Sequence, residues 1–233
     1  MIMISSDENF RYEKKFLVQN SFVDSLDHLR YCLPCDIYEA YPTRRVNSIY
    51  YDTGNLLLAN QSKEGHSNRF KVRIRYYGES SILNNPFLEI KYKIGNVGIK
   101  QKFNINNIKL IEDNFSLSYL LNNSKLPSFV NDLIVLLKPV VFISYKRYYY
   151  LEKFERFRFT FDRCLTFNNI FNPNKSFPLP LGSLVRFHQK VIELKYSEKN
   201  ENDVNSFIKI FPLRLTNFSK YRIALAELGI LDI

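Results

Sequence analysis

The chain has 233 residues and a mass of 27.7 kDa, enough for one large domain or two small ones. Hydrophobic residues make up 45% and charged residues 24%, which excludes global disorder, while only 7 glycines exclude a glycine-rich phosphate-loop architecture or a collagen-like chain. The 33 basic and 23 acidic side chains leave a net charge of +10, a surplus that points to a polyanionic partner (nucleic acid, anionic membrane or phosphate chains) without choosing among them.

In chain order, residues 1–9 have no basic start and no long apolar run, so no signal peptide is expected. A strand is predicted over 10–19, followed by a helix over 21–33 with Phe22, Val23, Leu26 and Leu29 on one stripe. Cys32 and Cys35 at its end have the spacing of a redox or half-zinc motif. No second such pair exists, and three cysteines, with Cys164, read as ordinary thiols of a reducing compartment. Strands follow at 45–52, 69–77, 86–94 and 97–104, rich in Tyr, Phe, Ile and Val with period-two alternation. Helices are predicted at 106–121 and 129–137. The most apolar window, 133–145, is broken by Lys138 and Pro139 and is too short to span a bilayer. Strands at 139–151, 155–167 and 186–197 precede an amphipathic helix at 201–211 and a last helix at 221–228. Asparagine-rich stretches read as turns, and there is no internal repeat or low-complexity linker. Many antiparallel strands with helices between them predict an α+β fold around a large sheet or barrel, in a single domain over 1–233.

Neighbouring strand residues point to opposite faces, so positions i, i+2 and i+4 share one. Arg11, Glu13 and Lys15 oppose Tyr12 and Phe16. Arg69, Lys71, Arg73 and Arg75 oppose Phe70, Val72, Ile74 and Tyr76. Glu89, Lys91 and Lys93 oppose Leu88, Ile90 and Tyr92. Lys100 and Lys102 oppose Ile99 and Phe103; Arg156, Arg158, Thr160 and Asp162 oppose three phenylalanines; Glu193 and Lys195 oppose Ile192, Leu194 and Tyr196. One such strand is an ordinary half-solvated strand. Repetition of one sign at spacings of about 6.5–7 Å is different, because partly buried like charges repel by about 2 kcal/mol per pair. A closed sheet with its apolar face outward would need a polyanion inside, and Arg forks and Lys point charges suit a chain of phosphates. Glu13, Glu89, Asp162 and Glu193 on that face pair with the cations, or one of them holds a divalent ion that completes its shell with phosphate oxygens and water. His28, His66 and His188 are not clustered and read as structural. A nucleic-acid binder and a non-enzymatic polyphosphate or inositol-phosphate sensor are the competing classes. Against the first, stacking and phosphate contact need aromatics and cations on one surface, and here they mostly oppose each other.

The ordered segments RYEKKF (11–16), SIYYDT (48–53), KVRIRYYG (71–78), FLEIK (87–91), YKRY (145–148), RFTFD (158–162), IELKY (192–196) and FSKY (218–221) resemble the VTC domain. This is the polyphosphate polymerase domain of the vacuolar transporter chaperone complex and its bacterial relatives, one of the triphosphate tunnel metalloenzymes related to the CYTH phosphatases. The resemblance runs from about residue 10 to 225. It implies an eight-stranded antiparallel β-barrel tunnel with helices packed outside. ATP's triphosphate binds inside it with Mn²⁺ or Mg²⁺, and the γ-phosphoryl passes to a growing inorganic polyphosphate chain. By motif, Lys15, Arg73, Arg75, Lys91, Lys100, Arg147, Arg158 and Lys220 resemble the phosphate-binding cations, and Glu193 resembles the metal-binding carboxylate. Arg11 and Glu13 match the start of the first-strand signature. The shared face adds Lys71, Lys102 and Lys195 to the phosphate-binding set, and Glu13 and Glu89 to the metal set. Lys15, Arg73, Arg75, Lys91 and Lys220 are the expected carriers of the transfer. One departure is Asn217, which stands where active eukaryotic members have a second lysine, so triphosphatase and non-catalytic binder remain alternatives to polymerase. The expected partners are ATP and polyphosphate, with no nucleic acid and no direct membrane span. The expected setting is cytoplasmic, with a separate membrane subunit as recruiter.

Overall fold

The structure is a computed structural model that describes residues 11–18, 31, 33, 35–79, 82–95, 97–105, 108–109, 124–170 and 184–232. Its strands are β1 (Arg11–Val18), β2 (Ile37–Asp52), β3 (Asn68–Tyr77), β4 (Ile82–Leu83), β5 (Phe87–Ile94), β6 (Val97–Asn104), β7 (Ile108–Lys109), β8 (Lys138–Glu152), β9 (Phe157–Asn169), β10 (Val185–Phe187) and β11 (Lys190–Ser197). The helices are α1 (Leu57–Lys63), α2 (Ser128–Val135), α3 (Glu201–Ile210) and α4 (Lys220–Glu227). Eight long strands pair antiparallel in the order β1-β11-β9-β8-β2-β3-β5-β6, with β10 beside β9 and β4-β7 as a separate pair. The sheet curls until its two edges, β1 and β6, come back into contact. No ladder joins them among the described residues; instead Lys91 on β5 donates to Glu13 on β1 at 3.1 Å. This is the expected tunnel, closed by side chains at its seam.

Strand parity decides what lies on each side. The outward residues of β2, β3 and β5 (Ile49, Tyr51, Val72, Ile74, Tyr76, Leu88 and Ile90) form one core with Val130 and Ile134 of α2. Those of β1, β9 and β11 (Phe16, Phe157, Phe159, Phe161, Ile192 and Leu194) form another with Val204 and Phe207 of α3. α3 is amphipathic, and its apolar stripe supplies both contacts.

A third core lies on the opposite face, the one that carries the cations. Val46 and Tyr50 of β2, Ile143 and Tyr145 of β8 and Val191 of β11 have the same parity as Ser48, Arg147 and Glu193. They pack against Ala59 of α1 and Tyr221, Ala224 and Leu225 of α4. α4, with α1 against it, therefore seals part of one end of the lumen, whereas α2 and α3 cover the outer wall. A β-bulge makes this possible on β9. The β8–β9 register shifts between Ser144 and Lys146, and Cys164 opposite has φ 52°. Phe157, Phe159 and Phe161 face outward before the bulge, while Leu165 and Phe167 beyond it face the seal.

Leu56, the residue before α1, has no capping side chain and sits at φ 57°, and the first amide, Leu57 N, donates instead to Thr53 Oγ1 at 2.9 Å. The next two amides are satisfied from inside the barrel, where the buried Asp52 carboxylate accepts from Leu58 N and Ala59 N, each at 2.9 Å, and from the Tyr221 hydroxyl at 2.7 Å. Asp52→Ala would leave these buried donors unmet. A loss of about 2–4 kcal/mol in chemical denaturation is expected, from several charge-assisted bonds at once.

Elements differ from expectation in four places. β2 begins at Ile37, eight residues before the predicted start of 45, because the irregular segment around Pro42 still pairs with β8 through register shifts. The strand predicted over 186–197 is two, β10 and β11, broken at 188–189. Within the helix predicted over 106–121, residues 108–109 are instead the strand β7, paired with β4; the remainder lies outside the described residues. α1 was not expected at all: it is only seven residues long, and two of its amides are capped by Asp52, the last residue of β2, rather than by the residue just before the helix. The helix predicted over 21–33 lies outside the described residues except at 31 and 33, as does Cys32; Cys35 and Cys164 are free thiols.

Candidate functional site

The lumen holds a chamber of about 410 Å³ to which all eight long strands contribute, together with Ser219 and Lys220 at the start of α4. Ten basic side chains line it (Lys15, Lys71, Arg73, Arg75, Lys91, Lys100, Arg147, Arg158, Lys195 and Lys220), against three carboxylates, Glu13, Glu89 and Glu193. Nearly every cation named from strand parity and motif is thus brought together. Lys102 shares the face but stands exposed, its ammonium 4.7 Å from the Phe87 ring, and is not part of the lining. For Arg11 only the backbone is described, paired with Ser197; its side chain lies outside the description. Arg156, on the same parity as Arg158, turns away to Glu152 at 2.9 Å and Asp203 at 3.5 Å.

The carboxylates organise the cations into two clusters. In the first, buried Arg147 grips Asp162 through two bonds of 2.6 Å and donates to Glu193 at 2.9 Å, while Lys220 reaches Asp162 at 2.6 Å and Glu193 at 2.7 Å. In the second, Glu89 pairs with Arg73 and sits 3.5 Å from Lys100 and 4.0 Å from Arg75. Glu13 joins the two sides of the seam, 3.6 Å from Lys15 and 3.1 Å from Lys91. Burial raises a carboxyl pKa, but here the neighbouring cations win. Lys15, Lys91 and Lys195 pull Glu13 down to about 2 against burial and Glu193, and Arg147 with Lys220 holds Glu193 well below the usual carboxylate range.

Two of the lysines respond the other way. Burial, then the charges of Lys15, Lys91, Arg69 and Arg73, push Lys71 well below the ordinary lysine value; its ammonium donates to Ser219 Oγ at 2.8 Å. Lys100 is pushed down to about 8 by burial, with Lys102, Arg73 and Arg75 adding to it and Glu89 opposing. Lys100 is therefore charged below pH 8 and loses its charge as pH rises through 8. Affinity for inorganic triphosphate is expected to fall up to about tenfold between pH 7 and pH 9, and Lys100→Met should flatten that step in calorimetric titrations.

Two tyrosines share the cationic face, Tyr145 by its parity with Arg147 and Tyr50 by its parity with Ser48. Tyr50 accepts from Arg73 at 2.7 Å, and Tyr145 accepts from Arg75 at 3.3 Å and lies under Arg147 at 5.2 Å and Lys220 at 4.9 Å. Both rings are buried, so they hold guanidinium groups rather than offering a flat stacking surface. Asp162, placed on the charged face by its parity with Arg158 and Thr160, pairs there with Arg147 and Lys220, as its position among the cations led one to expect.

The chamber continues into an outer basin of about 810 Å³, sharing Glu13, Lys15, Lys71, Lys91, Gly98 and Ser219 with it. Arg69, Lys93 and Arg222 add further charge there. Asn217 lines this basin and not the chamber.

Whether these residues suit a divalent cation can be tested on the donors. Among the described residues no group of three or more His, Cys, Asp or Glu side chains converges as a protein-only cage. Glu13 and Glu193 both face the chamber close enough to repel one another, and Glu89 Oε2 is buried without a hydrogen-bond donor. One or two lumen carboxylates beside so cationic a lining fit a Mg²⁺ or Mn²⁺ ion that takes most of its oxygen ligands from an anionic ligand and water.

A family model described as the VTC domain matches residues 10–228. Comparison with curated proteins returns no match. Solved structures with a similar fold include a candidate adenylate cyclase from Vibrio parahaemolyticus (14% identity, 94% of this chain and 98% of that one, TM-score 0.49). They also include a candidate adenylyl cyclase from Hippeastrum with a dominant triphosphatase activity (16% identity, 94% and 97%, TM-score 0.46). A protein from Pyrococcus horikoshii OT3 is similar over 93% of this chain and 99% of its own, at 12% identity and TM-score 0.46. No described helix is long and apolar enough to cross a membrane.

Proposed function

The chain belongs to the VTC domain family, and on that premise we propose that it is an ATP-dependent polyphosphate polymerase working inside the lumen. The observation that carries this reading is the charge of the chamber: ten cations against three carboxylates, enclosed by every long strand, in a volume of about 410 Å³. Such an excess favours a condensed phosphate, which would neutralise it.

Transfer of a phosphoryl group asks mainly for alignment and for positive charge where negative charge develops. Arg73, Arg75 and Arg158 hold the triphosphate oxygens of ATP through their planar forks. Lys15, Lys91, Lys100 and Lys220 balance charge on the leaving and entering oxygens; Lys71 and Lys195 extend the same lining. Arg147 holds Glu193 and Asp162 in place and acts on the substrate through them. Glu193, with Glu13, would hold Mn²⁺ or Mg²⁺, which when bound neutralises phosphate charge as a Lewis acid. No side-chain nucleophile is needed, because the acceptor is itself a phosphate anion. The basin favours a phosphate acceptor over water: it is continuous with the chamber and its added cations give a growing chain somewhere to lie.

Incubation with ATP and Mn²⁺, resolved on a gel for long phosphate chains and assayed for free phosphate, tests the reading. A ladder of chains is expected. Free phosphate alone would make the protein a triphosphatase, and neither product would make it a binder.

A further inference from the structure

Tyr50 stands at the sealed end of the chamber, near the end of β2. Its ring is stacked on Tyr221 of α4, with centroids 4.9 Å apart and planes 8° apart. Tyr221 in turn is pinned by its hydroxyl to Asp52, which binds two amides in the first turn of α1. The phenol is therefore held in one direction by a stack, two helices and a buried carboxylate. Its oxygen accepts from Arg73 Nη1 at 2.7 Å. An oxygen that accepts in this way still has its own proton to give, and among the described residues that proton meets no acceptor. The space before it is the chamber, between Arg73 and the neighbouring Arg75 and Lys220.

We infer, on the reading that this chamber takes a triphosphate, that the Tyr50 hydroxyl donates a hydrogen bond directly to a bound phosphoryl oxygen beside Arg73. A phosphoryl oxygen is the anionic acceptor that the site lacks, and an O–H···O⁻ bond is among the stronger hydrogen bonds in proteins. The electrostatic setting fits. Burial would raise the Tyr50 pKa, but the charges of Arg73 and Arg75, the bond from Arg73 and the charge of Lys220 bring it below the ordinary phenol value. A more acidic phenol is a better donor. The rigid stack means that little side-chain freedom is lost when the ligand arrives. Tyr50 thus adds a neutral donor to a wall otherwise made of cations, and one that supplies direction as well as charge complementarity.

The test is calorimetric titration of inorganic triphosphate without metal into the unsubstituted protein, Tyr50→Phe, Arg73→Ala and the double variant. Phenylalanine keeps the stack, so the unliganded melting temperature of Tyr50→Phe should change little, while its triphosphate affinity should fall about tenfold. The same loss should persist when Tyr50→Phe is added to Arg73→Ala, because a direct contact does not act through Arg73. An unchanged affinity in Tyr50→Phe, or a loss that vanishes in the Arg73→Ala background, overturns the inference while leaving the chamber's ligand class intact. No triphosphate binding by the unsubstituted protein overturns both together.

Discussion

Replacing Arg147 with alanine is expected to lower the unfolding free energy by about 3–5 kcal/mol, the largest stability effect of any single substitution in the lumen. The guanidinium makes two 2.6 Å bonds to Asp162 and one of 2.9 Å to Glu193, and all three groups are buried. Its removal leaves two buried carboxylates to share Lys220, with Lys195 3.6 Å from Glu193 and the Thr160 hydroxyl donating to Glu193 at 3.4 Å. That deficit is a desolvation cost without its compensation, against a total stability of about 5–15 kcal/mol for a domain. Urea denaturation reads the effect. Arg147→Met combined with Asp162→Leu removes charge from both sides and should recover part of the loss. A single-variant loss below about 1 kcal/mol would mean that the cluster is solvated and contributes little.

Arg73→Ala is expected to lower triphosphate affinity about a hundredfold, with turnover of ATP falling by a similar factor. Arg73 stands at the centre of the chamber wall, held by Glu89 and by the Tyr50 hydroxyl. The two contacts fix the fork so that its other donors face the chamber before any ligand arrives. Glu89 keeps Lys100 at 3.5 Å and Arg75 at 4.0 Å, so the fold should survive the change better than it survives loss of Arg147. Arg73→Lys keeps the charge and loses the fork, and an intermediate loss of about tenfold is expected. Calorimetry with inorganic triphosphate measures all three proteins. A change of less than threefold in Arg73→Ala would remove Arg73 from the binding set.

The two substitutions probe different tasks of one charged surface. Arg147 lies against carboxylates that nearly consume it, so its contribution is to the empty fold and to the pose of Glu193. Arg73, Lys71 and Lys100 carry charge beyond what the carboxylates balance. Burial and crowding push Lys71 and Lys100 toward neutrality, and an arriving polyanion would reverse that. The site thus stores repulsion in the empty state and releases it on binding.

The alternation of β3 (Arg69, Lys71, Arg73, Arg75 against Phe70, Val72, Ile74, Tyr76) is a local property, because side-chain direction along a strand follows from the backbone alone. Six strands with that alternation, most of them placed within two or three residues, already contained most of the cations of the lumen. The ordered motifs around them contained the family. Tertiary structure decided which cations are spent on carboxylates and which are left over, since Arg147–Asp162, Lys220–Glu193 and Lys71–Ser219 join positions 15, 27 and 148 residues apart. It also decided that α4 seals one end of the lumen while α2 and α3 cover the wall, and that a bulge at Cys164 reverses the parity of β9. No local pattern encodes a pairing that forms only when the sheet closes: strand chemistry sets the direction of each side chain, and closure of the barrel sets what it meets there.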